Sequence, residues 1–192
     1  DRDAVAWWGR AGREAAGELL DDTLRLVDDH AGFSRDGKNI VRPDGVEVPV
    51  DLGDPLGTLG RLVQQDLCLL TREGGEHVLS AAVVCFPASW RLAEKAGRPL
   101  TAIHAPVEQY DVGLASRVQR MFDAVRPGRP LMRANALLYD DPELFQPERR
   151  RGPPGGSGYV RSERQVIFRL SKTGAVGFSI HTRVVRRDVL TE

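Results

Sequence analysis

The side chains best suited to chemistry are few and lie far apart in the chain. His104 stands in Thr101-Ala-Ile-His104-Ala-Pro106-Val-Glu-Gln-Tyr110, between an apolar residue and a proline-stiffened turn. A metal ligand held from both sides has this setting, as does an ordinary surface or core histidine, and both readings stay open. Arg133 and Asn135 share a strand face with Leu131, Leu137 and Tyr139. An arginine buried there needs an anion, either a cofactor carboxylate or an internal acid such as Glu163. Over residues 159–170, period two places Arg164 with Val160, Ser162, Val166 and Phe168, and sets Arg161, Glu163 and Gln165 on the opposite face. His181 shares a face with Gly177, Ser179 and Arg183, which leaves room for a ligand or faces solvent. His77, at a loop edge, reads as solvated. Cys68 and Cys85 sit in separate apolar runs, a spacing for buried thiols and not for a zinc or iron–sulfur site. No nucleophile elbow, metalloprotease helix or glycine-rich nucleotide loop is present.

The elements that must position these groups follow from periodicity. Residues 3–30 carry apolar side chains at three- and four-residue steps and predict a long helix ending near Gly32. Pro43-Asp44-Gly45 marks a hairpin over 39–50. Asp54-Pro55 opens a helix, with an N-cap followed by a proline at the first helical position. A second hairpin crosses Glu73-Gly74-Gly75, and its strand from His77 is apolar on both faces, so it should be buried. Ser89 can cap a short helix over 90–96, 99–110 reads as the loop holding His104, and Asp111 can cap a helix to about Val125. Residues 131–139 form a strand. Residues 140–158, rich in Pro, Gly and Arg, form a surface loop whose Arg149-Arg150-Arg151 run is solvated or meets an anion. A last hairpin turns at Lys172-Thr173-Gly174. Hairpins joined by laterally placed helices give an α+β fold with a mainly antiparallel sheet. The organisation expected is an N-terminal helical segment, 1–38, and a domain over 39–192, with the helices packed to one side of the sheet.

The 192 residues suit one domain with a sizeable core. Lys and Arg number 27 and Asp and Glu 27, a balance without the basic surplus of a nucleic-acid binder. With no signal peptide or long apolar span, the chain reads as cytoplasmic, with no membrane partner. It begins at Asp1 and not at methionine, which leaves a longer gene product open. Assembly with copies of itself also stays open.

Four blocks in order carry a resemblance: Gln65-Asp-Leu-Cys-Leu-Leu70, Val83-Val-Cys-Phe-Pro-Ala-Ser-Trp90, Ile103-His-Ala-Pro-Val107, and Arg161-Ser-Glu-Arg-Gln165 running on to Phe178-Ser-Ile180. Together, over about residues 40–190, they resemble the haem-containing α subunit of the haem-dependent oxidative N-demethylases. The resemblance implies a PAS-like fold holding haem b, and a monooxygenase that uses O2 to oxidise the methyl carbon of a small amine. It implies electrons from NADPH through a partner reductase with flavin and iron–sulfur centres. His104 would be the axial ligand, with Cys85 thiolate as the alternative. Phe86 and Trp90 would line the haem, Arg133, Arg161 and Arg164 would meet its propionates, and Asn135 and His181 would sit in the pocket. Glu163 and Arg164 would serve proton delivery. Ala136 follows Asn135 where the family often has tryptophan, Glu108 replaces a proline, and His181 stands where arginine is common. The pocket expected at Ala136 is larger and suits a bulkier, biosynthetic amine or amino acid. A haem-based gas or redox sensor, or a haem-free binding module, are the competing functions.

Overall fold

The computed structural model describes residues 4–7, 9–105, 112–148 and 158–190. Pro106, Glu108, the Asp111 cap and the Arg149-Arg150-Arg151 run lie outside the described residues. The chain begins with a short strand, β1 (Val5–Trp7), where a helix is expected; its residues pair with Ala81, Ala82 and Val83 instead. Gly9, at φ +72°, turns the backbone into the helix α1 (Gly9–Asp28). A small sheet follows, β2 (Ser34–Asp36), β3 (Asn39–Val41) and β4 (Glu47–Pro49), with the expected turn at Gly45. Asp54 caps α2 (Pro55–Leu62) by accepting from the Gly57 amide, and Pro55 lies at the helix start, as its sequence requires.

Next come β5 (Asp66–Glu73), β6 (Glu76–Val83), a 3-10 turn (Leu92–Glu94), α3 (Leu100–His104) and α4 (Val112–Ala124). The strands β7 (Leu131–Tyr139), β8 (Tyr159–Arg169) and β9 (Val176–Arg186) close the main sheet, ordered β1-β6-β5-β9-β8-β7. Every neighbouring pair is antiparallel. This is the expected α+β fold with its N-terminal helix.

The helices divide between the sheet's faces where one side is expected. On the first face α1 and α2 enclose Leu20, Leu56, Leu59, Leu69 and Val83. The fit is close: a Cβ on Gly12 of α1 would stand 2.2 Å from the Ser80 carbonyl oxygen of β6. Glu18, also on α1, reaches the β8–β9 turn and accepts from the Lys172 and Thr173 amides at 2.7 Å each. On the second face Leu92, Leu100, Phe122 and Val125 pack over Cys68, Ala82, Ile167 and Val176. Arg169 ties α4 down, donating to the Phe122 and Val125 carbonyls at 2.7 and 2.6 Å.

Three local expectations change in context. Ser89 caps nothing; it adopts φ +63°, and the short helix shrinks to the 3-10 turn. His104 ends a helix and is not in a loop. His77 is 2 % exposed and not solvated, because α4 lies over it with the Phe122 ring 5.6 Å away, and burial lowers its pKa.

Candidate functional site

Helical cover on the second face ends partway across the sheet. Beyond Val176 and Ile167, the strands β8 and β9 run on under two loops, and β7 forms an outer edge exposed from Leu131 to Leu138. Register aligns Leu137 with Arg161, Asn135 with Glu163 and Arg133 with Gln165. Alternation puts all six on the α3 side of the sheet. Arg133 is therefore exposed where burial is expected, since no described element packs over β7.

A polar chain crosses this floor. Arg133 Nε donates to Gln165 Oε1 at 2.6 Å, and Gln165 Nε2 donates to Glu163 Oε2 at 2.8 Å. Asn135 Nδ2 reaches the same carboxylate oxygen at 3.4 Å. Glu163 Oε1 lies 3.6 Å from Arg161 Nε. Thr182, opposite Glu163 in the ladder, is fully buried, and its hydroxyl has no hydrogen-bond partner.

Arg161 and Asp66 build one wall. Arg161 is 1 % exposed and lies over the Tyr139 ring at 5.5 Å. Its Nη2 donates to the Phe86 carbonyl at 2.7 Å and its Nη1 to the Leu144 carbonyl at 3.0 Å. Asp66 Oδ1 accepts from the Cys85 and Phe86 amides at 2.6 and 2.9 Å. The Phe86 peptide is thus gripped through its N–H and its C=O by two buried charged groups. Burial pushes the Asp66 carboxyl up to about 6, against the pull of those amides and of Arg161. Gln146 joins the two loops, its amide donating to the Pro87 carbonyl and its carbonyl accepting from Ser89.

His104 stands on the opposite wall. Its Nδ1 donates to the Leu100 carbonyl at 2.9 Å, one helical turn back, which sets the lone pair on Nε2. Burial lowers its pKa and the charges of Lys95 and Arg133 add to that, against the Leu100 hydrogen bond, which raises it; the net shift favours the neutral ring. A neutral, half-buried imidazole oriented by a carbonyl is the form that ligates a metal. Cys85 fits that role less well, because burial and then the Asp66 charge raise its thiol pKa and oppose the thiolate.

Residues 26–192 match the family model described as haem-dependent oxidative N-demethylase, alpha subunit-like. The chain belongs to that family. The face just described gathers most of the residues expected for an N-demethylase-like haem site, His104, Trp90, Arg133, Asn135, Arg161 and Glu163, together with the backbone of Phe86. Arg164 and His181 are not among them. They pair with each other in register and project from the opposite face, where Arg164 is exposed. Ala136 also points that way, opposite Ser162, so its small size does not enlarge the His104 side. The Arg161 guanidinium is buried and gives one N–H of each terminal nitrogen to a carbonyl, whereas Arg133 is exposed beside the site. Asp66 and Lys95 are new to the site. Asp66 heads an apolar strand, a signal visible in the sequence; nothing near Lys95 in sequence marks it. A separate groove of about 590 Å3, lined by Gly158, Tyr159, Arg186, Arg187 and Asp188, shares no residue with this face.

Proposed function

We propose that this chain binds haem b on the α3 side of the sheet through His104 Nε2. We further propose that it is the oxygen-using component of a monooxygenase acting on a small amine or related biosynthetic substrate, with electrons from a partner reductase carrying flavin and iron–sulfur centres. The observation that carries the reading is the His104 ring, neutral and oriented by Leu100, over the uncovered face of a chain belonging to this family. Haem, when bound, supplies the activation of O2 for oxidation of the methyl carbon.

The chain's own residues would hold and orient. Arg133, exposed at the edge of the face, is the arginine best placed to meet a propionate. Phe86 and Trp90 would give apolar cover, with the Phe86 backbone fixed by Asp66 and Arg161. Glu163, held by Gln165, Asn135 and Arg161, would receive or return a proton at its carboxylate oxygens. Arg164 is not proposed for that role, since it faces the other way.

Titration of the purified chain with haem should give a Soret band, and His104→Ala should abolish or shift it. An unchanged Soret band in His104→Ala would refute His104 ligation. Oxygen uptake with a chemical reductant and N-methylated amines, with formaldehyde as product, separates the enzyme from a gas sensor.

A further inference from the structure

The main sheet has two edges, and they are finished differently. At one end β1 is three residues long, too short to template another strand. At the other, β7 runs for nine residues and has β8 as its one neighbour among the described residues. Its pairing with β8 keeps one register from Leu131 to Tyr139, without the shift that interrupts β5 against β6. The edge is therefore free of bulges, and its outward N–H and C=O groups stand in an unbroken row. β7 holds no proline, lysine or acid, and its one charge is Arg133. Apolar side chains project on both faces: Met132 is 69 % and Leu138 53 % exposed on one, Leu137 59 % on the other. Soluble proteins guard such a strand with charges, bulges or a covering element. Among the described residues β7 has no bulge and no cover, and Arg133 alone stands guard.

The sequence of the strand says what fits it. We propose that β7 pairs antiparallel with β7 of a second copy, about a two-fold axis that passes through Asn135 normal to the sheet. Asn135 is the middle residue of β7, so this axis pairs the strand over its whole length. Met132 then lies opposite Leu138 of the other copy, Leu131 opposite Tyr139 and Ala134 opposite Ala136. Large apolar side chains meet large ones at both ends and small ones meet at the centre. Arg133 lies opposite Leu137, so no like charges face each other. An axis moved by one residue, to Ala134 or Ala136, sets Met132 against Ala136 or Asp140 and loses that match. Each copy offers an edge about 30 Å long and about 10 Å deep. Together the two strips stand near the lower bound for a specific interface, about 1,000 Å2 in all. The pairing is therefore weak, with monomers at about 5 µM and dimers at about 500 µM. It joins two six-stranded sheets into one. It also sets Leu137 of the second copy beside Arg133, which closes the outer side of the face that holds His104. The pairing does not depend on haem.

The test is sedimentation of the full chain, without added haem, at both concentrations. Met132→Glu, Met132→Lys and Leu138→Lys each place a charge on an exposed edge position and should weaken the dimer about tenfold or more. Mixing Met132→Glu with Leu138→Lys brings opposite charges face to face across the axis and should restore a dimer. Mixing Met132→Glu with Met132→Lys does not bring them together and should leave monomers. Recovery in the first mixture also shows that both variants are folded. A wild type that stays monomeric at the higher concentration overturns the pairing, as does a dimer that survives all three substitutions. Recovery in both mixtures, or in neither, overturns the axis at Asn135. Amide exchange gives an independent reading: the β7 amides that point away from β8 should exchange fast at the lower concentration and slowly at the higher. Slow exchange at both means that a segment of the same chain covers the edge, and overturns the pairing.

Discussion

The two halves of the main sheet are built to different ends. The half made by β1, β6 and the start of β5 is covered on both faces, and its core is aliphatic and closely fitted, down to a helix backbone that admits no Cβ at Gly12. The half made by β7 and the ends of β8 and β9 keeps Met132, Leu137 and Leu138 more than half exposed and carries a chain of charged and amide groups on its α3 side. A protein gains nothing in stability by leaving such a surface bare. The contrast teaches that one half holds the fold and the other is shaped for something outside it. Asp66 and Arg161 sit where the halves meet.

The largest effect should come from breaking that junction. Arg161→Ala leaves two carbonyls and Glu163 without their buried cation and should cost about 3–5 kcal/mol, read as a lower urea midpoint. The next effect is a pH dependence. The folded Asp66 carboxyl, at about 6, binds its proton more tightly than the 3.8 of the unfolded chain. Its contribution therefore favours the folded state at pH 4 and is lost as pH rises through 6, a change of about 3 kcal/mol. Asp66→Asn should flatten the stability–pH curve in that window; a slope identical to the wild type would remove Asp66 as its source. Gly12→Ala, in the covered half, should cost about 1–3 kcal/mol by forcing α1 from β6, seen as a lower thermal midpoint. The smallest effect is expected at the bare edge. Leu138→Thr should change stability by no more than about 0.5 kcal/mol, and a loss of several-fold that size would mean that β7 is covered in solution.

Much of the covered half is legible in the sequence, because its signals are local. Asp54-Pro55, Pro43-Asp44-Gly45 and Lys172-Thr173-Gly174 each set a cap or turn through their own backbone preferences, and the structure keeps all three. The four motif blocks likewise point to the family that residues 26–192 match. The site is less legible, because its contacts span the chain. Arg161 reads as a cation for a cofactor, yet its partners are carbonyls 17 and 75 residues away. His77 reads as a loop residue because the helix that buries it arrives some 40 positions later, with Phe122. Ser89 has the chemistry of a cap, but pairing of its amide with Gln146 decides its conformation. Strand alternation separates Arg164 from Glu163 correctly, and what it could not supply was which face the helices would leave open.

Arg161 and Arg169 occupy the same strand and the same face, eight positions apart, and each spends its guanidinium on the backbone of a different wall. At ~3.3 Å per strand residue they are roughly 26 Å apart. β8 therefore acts as a gauge bar, holding the Phe86 loop at one end and the end of α4 at the other. A guest could settle deeper between them, but it could not stretch the bar. One extra residue inserted between Gln165 and Val166 would invert the strand beyond it. Arg161 would keep its loop, Arg169 would let go of its helix, and the chain would lose its measure of what fits.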